Sequence, residues 1–81
     1  MKPIAYVSHQ MGGRVRLRIP EKRNDAAYFQ LCLTEIERAL PLKAQTNPLT
    51  GSILLLGAEG ENVPLAELGK LGVFELARSK P

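Results

Sequence analysis

Residues 14–19 alternate strictly between arginine and aliphatic side chains, and no other segment constrains the fold as strongly. Arg14, Arg16 and Arg18 occupy alternate positions, and the positions after each of them carry valine, leucine and isoleucine. Successive side chains of a β-strand leave opposite faces of the sheet, so a period of two predicts a half-buried strand. The segment is therefore predicted to present aliphatic groups to a core and three guanidinium groups to the opposite side.

Three like charges in a row raise the question of what they face. Same-face neighbours on a strand lie about 7 Å apart, so adjacent arginines repel by about 0.6 kcal/mol in water and about 2 kcal/mol at an effective dielectric of 20. A solvated face tolerates this repulsion, and so does a face that binds an anionic partner. Guanidinium makes bidentate hydrogen bonds to carboxylate or phosphate, which favours the second interpretation. Arg14, Arg16 and Arg18 are accordingly the candidate partner- or anion-binding residues, with a solvated face as the alternative.

Length and composition predict one globular domain over residues 1–81. Of the 81 residues, 44% are hydrophobic and 23% charged, which is typical of a globular domain rather than a disordered chain. The net charge of +3 is basic and suits an acidic protein, a nucleic acid or an anionic membrane surface. No apolar run reaches the roughly 18 residues of a transmembrane helix, and the first residues are too polar for a signal peptide, so we expect a cytoplasmic protein.

Periodicity along the chain alternates between strand and helix. Phe29, Leu33, Ile36 and Leu40 form one helical stripe that ends at Pro41. The predicted segments are a strand-like stretch over 4–8, a bend or bulge over 9–13, the arginine strand, a helix over 26–40, strands over 42–46 and 52–56 around a turn at 47–51, a short helix over 64–71, a last strand over 73–77 and a tail over 78–81. This order predicts an α+β fold, the ferredoxin-like βαββαβ sandwich, with a four-stranded antiparallel sheet and two helices on one face.

Two segments resemble the heavy-metal-associated domain found in copper chaperones and at the N-termini of metal-transporting P-type ATPases. Residues 36–53 resemble the pattern VExAL…GVxxVxVNxxTGxxxV of that family, and residues 65–72 resemble its final helix and glycine. The family's metal-binding CxxC differs here, because its second cysteine aligns with Cys32 but its first aligns with Phe29. The chain therefore resembles the cysteine-less branch, which opens with a histidine, here His9, and a GRxRxR strand, here residues 13–18. That resemblance implies a domain core at about residues 13–78. It also implies a setting in metal homeostasis, including iron, and a metal-transport ATPase or an iron-handling protein as partner.

Few residues of the chain suit metal or catalytic chemistry. His9 and Met11 could bind a soft or borderline metal, and Cys32 could join them, although a buried helix cysteine and a surface histidine are the ordinary interpretations. With one histidine, no nucleophile–base spacing and no glycine-rich loop before a helix, the sequence predicts no enzyme. No cofactor is expected apart from a metal ion.

Three functional hypotheses follow. The preferred one is a small, non-enzymatic interaction module that docks a protein partner or a second copy of itself through an arginine-lined open sheet face. The second is a metal carrier or sensor that uses His9, Met11 and Cys32. The third is binding of nucleic acid or an anionic membrane through the arginines; RNA-recognition modules stack bases on aromatic residues of their central strands, and residues 15–18 and 53–56 contain none, so nucleic acid is disfavoured.

Overall fold

The computed structural model describes residues 2–77, which form a five-stranded mixed sheet and two helices. The strands are β1 (Ile4–Met11), β2 (Arg14–Arg18), β3 (Leu42–Asn47), β4 (Ser52–Gly57) and β5 (Glu75–Ala77), and the helices are α1 (Ala26–Ala39) and α2 (Leu65–Gly69). Single 3-10 turns span Pro20–Lys22 and Ala58–Gly60. The α+β class is as predicted. The predicted tail over 78–81 lies outside the described residues.

The alternating arginine segment forms β2 and has the predicted orientation. Val15 and Leu17 are fully buried, whereas all three arginines are exposed. Ile19 continues the buried set just beyond the strand, and its backbone N–H donates to the Gly51 carbonyl oxygen at 2.6 Å. The strand therefore presents aliphatic side chains to the core on one face of the sheet and three guanidinium groups on the other.

The predicted four-stranded antiparallel sheet is wrong, because the sheet has five strands in the order β3-β4-β2-β1-β5 and one parallel pair. Residues 9–11, predicted as a bend or bulge, continue β1 as far as Met11, and the chain then turns back at Gly12, whose φ is +53°. β1 and β2 thus form an antiparallel hairpin, and β1 occupies the sheet position beside β2. β5 consequently pairs with β1, in parallel, rather than with the arginine strand.

The core lies between one face of this sheet and both helices. Helix α1 begins after Asp25, whose carboxylate accepts a hydrogen bond from the Tyr28 backbone N–H at 3.0 Å. It buries Phe29, Cys32 and Ile36, whereas Leu33 and Leu40 of the predicted stripe are only half-buried. The fully buried members of the core are Ala5, Val15, Leu17, Ile19, Phe29, Cys32, Ile36, Ile53, Leu55, Leu68 and Phe74.

The β3–β4 hairpin decides which leucines face the open side of the sheet. Ile53 and Leu55 are fully buried, so Leu54 and Leu56 point away from the helices and are half-buried.

The last helix and strand are shorter than predicted. The Tyr28 hydroxyl, on α1, donates to the Val73 carbonyl oxygen at 2.8 Å and so ties α1 to the segment before β5. Among residues 2–77, no helix is both long and apolar enough to cross a membrane.

Candidate functional site

The side of the sheet opposite the helices carries three cross-strand rows of side chains. Residues that pair across adjacent strands point to the same face, so the register assigns the rows directly. From β3 to β1 they read Lys43, Leu56, Arg14 and Met11; then Gln45, Leu54, Arg16 and His9; then Asn47, Ser52, Arg18 and Tyr6. We call these twelve positions the arginine face. Its first row is the most apolar, since it holds Leu56 and Met11.

Charge on the arginine face is of one sign. It carries four of the chain's eleven Lys and Arg residues and none of its eight Asp and Glu residues, so the charges elsewhere in the chain nearly cancel. Along the register of the sheet, the nearest carboxylate is that of Glu75 on β5. Glu75 pairs with Ile4, which lies one row beyond the row of Arg18, and β1 lies between β5 and β2. The net positive charge of the protein is therefore concentrated on this face.

The three arginines have no carboxylate partner among residues 2–77. The ion pairs of that part of the chain join Lys22 to Asp25, Arg38 to Glu35 and Lys70 to Glu67. All three pairs are between residues three apart in sequence, away from β2. Within residues 2–77, no carboxylate offsets the mutual repulsion of Arg14, Arg16 and Arg18, and solvent alone screens it.

A β-bulge in β1 shapes the centre of the arginine face. The register shifts between Val7, which pairs with Leu17, and His9, which pairs with Arg16, so Ser8 is the additional residue. The Ser8 hydroxyl donates to the Arg16 carbonyl oxygen at 3.3 Å, which fixes the bulge beside that arginine. Ser8 and His9 consequently line one shallow depression together with Leu54 and the three arginines. The imidazole and guanidinium groups around this concavity are hydrogen-bond donors suited to carboxylate or phosphate oxygens, whereas the Ser8 hydroxyl already donates to the Arg16 carbonyl oxygen.

The three residues predicted as metal ligands are not brought together. His9 and Met11 lie on the arginine face, where they pair with Arg16 and Arg14. Cys32 is fully buried on α1, in the core on the other side of the sheet. Among residues 2–77, no group of three or more His, Cys, Asp or Glu residues is arranged to hold a metal ion.

The environment of Cys32 favours the protonated thiol. Burial raises the pKa of Cys32, because the thiolate would lose its hydration in the core. A thiolate is the form that coordinates metals and acts as a nucleophile. The structural role of Cys32 is therefore that of a small apolar residue packed between α1 and the sheet.

Tyr6 and Lys43 are two of the residues of the arginine face that were not identified from the sequence. Tyr6 faces Arg18 because β1 belongs to the sheet, and Lys43 extends the positive charge to the edge strand β3. The alternation over residues 42–45 could have shown that Lys43 faces away from the core, because Lys43 and Gln45 are polar whereas the residues between and before them are apolar. Tyr6 has no comparable signal, because the pairing partner of β1 is set by the Gly12 turn.

Comparison of the chain with models of protein families, with curated proteins and with solved structures gives no match.

Proposed function

We propose that this protein is a non-enzymatic interaction module whose arginine face docks an acidic surface of a protein partner. The observation that carries the proposal is the row of Arg14, Arg16 and Arg18, exposed on an uncovered sheet face and without a carboxylate partner within residues 2–77. Leu54 and Leu56 beside that row provide apolar contact area. Arginine next to apolar side chains is a composition enriched at protein interfaces.

The charge of the arginine face favours an acidic partner over a second copy of the chain. In a two-fold dimer through this face, the same patch would lie against itself. Four cations would then face four cations with no carboxylate between them, and like charges across an interface cost several kcal/mol. The resemblance to heavy-metal-associated domains suggests the setting, in which a metal-transport ATPase or an iron-handling protein supplies the carboxylates.

Nucleic acid is the second candidate, and the position of Tyr6 is the observation in its favour. Tyr6 is half-buried and lies directly opposite Arg18, which places one aromatic ring beside a guanidinium group on the open face. Single-strand binders use such rings to stack bases. One aromatic side chain is fewer than the two or three that RNA-recognition sheets present.

Charge reversal on the arginine face tests the proposal. A labelled peptide with three glutamates separated by serines should bind the parent protein, and Arg16→Glu should weaken that binding at least about tenfold, because one attractive contact becomes repulsive. Arg38→Glu is the matched control, since it makes the same charge change on α1, outside the face. Fluorescence anisotropy at about 0.15 M salt, where charges beyond about 8 Å are largely screened, should show a change of less than about twofold for that control.

Two outcomes would count against the acidic-partner proposal. Equal weakening by Arg16→Glu and Arg38→Glu would show that only net charge matters. Tighter binding of a single-stranded oligonucleotide than of the acidic peptide, with loss of that binding in Tyr6→Ala, would assign the face to nucleic acid instead.

A further inference from the structure

An apolar pocket opens at one corner of the sheet, where α1 ends and β3 begins. Its apolar walls are Leu40, Pro41, Leu42, Leu56 and Ala58, and the rest of its lining is Glu37, Lys43, Gly57 and Glu59. The pocket forms because Pro41 ends α1 and the chain reverses at once into β3, while the 3-10 turn after β4 lies across from it. The result is a mainly apolar concavity at the surface of an otherwise polar edge.

The pocket is continuous with the arginine face. Leu56 and Lys43 pair across β3 and β4, line the pocket and also belong to the first row of the face. The next residue in that row is Arg14, directly opposite Leu56. Arg16 and Arg18 then follow at intervals of about 7 Å away from the pocket.

Two carboxylates, those of Glu37 and Glu59, line the pocket, which favours an uncharged group inside it, and the first of them is already engaged within the protein. The Glu37 carboxylate accepts a hydrogen bond from the Ala44 backbone N–H at 3.1 Å, and Ala44 belongs to the edge strand β3. This bond occupies a backbone donor that an added strand would need. A partner is therefore expected to contact the pocket and the face through its side chains rather than to extend the sheet at this point.

We propose that the partner segment is an acidic, extended peptide with one bulky apolar side chain at the end of its acidic run, and that this side chain fills the pocket. This inference rests on the proposed function of the arginine face. Alternate residues of an extended chain lie about 6.7 Å apart, which matches the spacing of the arginines. A peptide anchored beside Arg14 can thus place successive alternate carboxylates near Arg16 and Arg18, and the anchor fixes which carboxylate meets which arginine.

Peptides of equal composition test this arrangement. The probes contain three glutamates separated by serines and one phenylalanine, placed before the run, after it or in its middle. At least one of the two terminal placements should bind at least about tenfold more tightly than the central one, since burial of an aromatic side chain exceeds the cost of ordering it. Both terminal placements are needed because the pocket fixes the end of the row but not the chain direction of the peptide.

A variant that occupies the pocket separates the two parts of the site. Ala58→Gln places a longer polar side chain at the wall of the pocket, and it should abolish the gain from the terminal phenylalanine while leaving binding of the peptide without phenylalanine within about twofold. Ala27→Gln, at an exposed position of α1, is the control and should change neither affinity.

The outcomes distinguish this inference from the proposed function. Salt-dependent binding of the acidic peptide, lost in Arg16→Glu but unaffected by the position of phenylalanine, would overturn the pocket inference and leave the proposed function standing. Absence of binding by every peptide, before and after charge reversal, would overturn both.

Discussion

At the scale of single residues, Gly13 and Gly57 are the positions where the backbone leaves no room for a side chain. The Gly57 N–H donates to the Gly13 carbonyl oxygen at 2.8 Å, next to the start of the arginine strand. The loop after β4 folds back over both glycines. A Cβ atom at Gly13 would lie 2.7 Å from the Gly60 carbonyl oxygen, and one at Gly57 would overlap the carbonyl oxygen of Glu61. These glycines therefore hold the loop against the end of the arginine face at which the apolar pocket opens.

Substitution of Gly57 should destabilise the protein strongly. Gly57→Ala introduces a methyl group against a backbone carbonyl that cannot rotate away, so we expect a loss of about 3 kcal/mol or more in the free energy of unfolding. Gly69→Ala is the matched control, because its Cβ would be 3.8 Å from Leu76 and it lies in α2, where alanine is preferred to glycine. Urea denaturation should show little or no loss for the control. Equal stability of the two variants would contradict this account of the loop.

At the scale of elements, β1 shows which part of the fold the sequence could predict. The period-two pattern of β2, the position of α1 and the turn between β3 and β4 each depend on residues close in sequence, and all three were predicted correctly. The predicted stripe of α1 was correct only in part, because Leu33 and Leu40 are half-buried. The length of β1 depends instead on a bulge at Ser8 and on pairing with β2, and residues 8–11 have no apolar alternation that would reveal either. A short last strand can pair with any free edge, so the partner of β5 could not be predicted without knowing where β1 lies.

The arginine row of the candidate site could likewise be predicted from the sequence, whereas the side chains that lie beside the arginines could not. The alternation at 14–19 identified the exposed arginines, because strand geometry alone assigns them to one face. The outward orientation of Leu54 and Leu56 depends on the β2–β4 register, because a continuous apolar run does not show which of its residues face the core. The contributions of Ser8 and Tyr6 depend on the bulge and on the position of β1.

The packing of α1 against the sheet predicts a specific dependence of stability on pH. Burial raises the pKa of Cys32 in the folded protein, so its thiol keeps the proton at a pH where the thiol of the unfolded chain releases it. The folded state then binds more protons than the unfolded state, and stability must fall as pH rises above about 8.5, by up to about 1.4 kcal/mol per pH unit. Burial also raises the pKa of Tyr28, which adds to the fall above about pH 10, where an unfolded tyrosine ionises.

Removal of the thiol should flatten that dependence. In Cys32→Ala, the free energy of unfolding should be lower at neutral pH because a cavity remains in the core, but it should decline less between about pH 8.5 and 10 than in the parent. Urea denaturation followed by circular dichroism at several pH values measures both quantities. Parallel pH profiles of the two proteins would contradict a buried, protonated Cys32.

At the scale of the whole molecule, the two sides of the sheet differ in what covers them and in the charge they carry. One side is covered by both helices and supplies the stability of a small domain, while the other is uncovered and holds four cations with no carboxylate in the same rows. The remaining charges of the chain nearly cancel, so the electrostatic field of the protein attracts an anionic partner to the arginine face. The interaction that we propose therefore needs no rearrangement of the core.

The most direct test of this account is an amide NMR titration of the labelled protein with the acidic peptide. Perturbed amides should cluster in residues 14–18, at Ser8 and His9, and at Leu54, while amides on the solvent side of α1 stay unchanged. A perturbed set centred on α1 or α2, or one spread evenly over the molecule, would contradict the assignment of the arginine face as the docking surface.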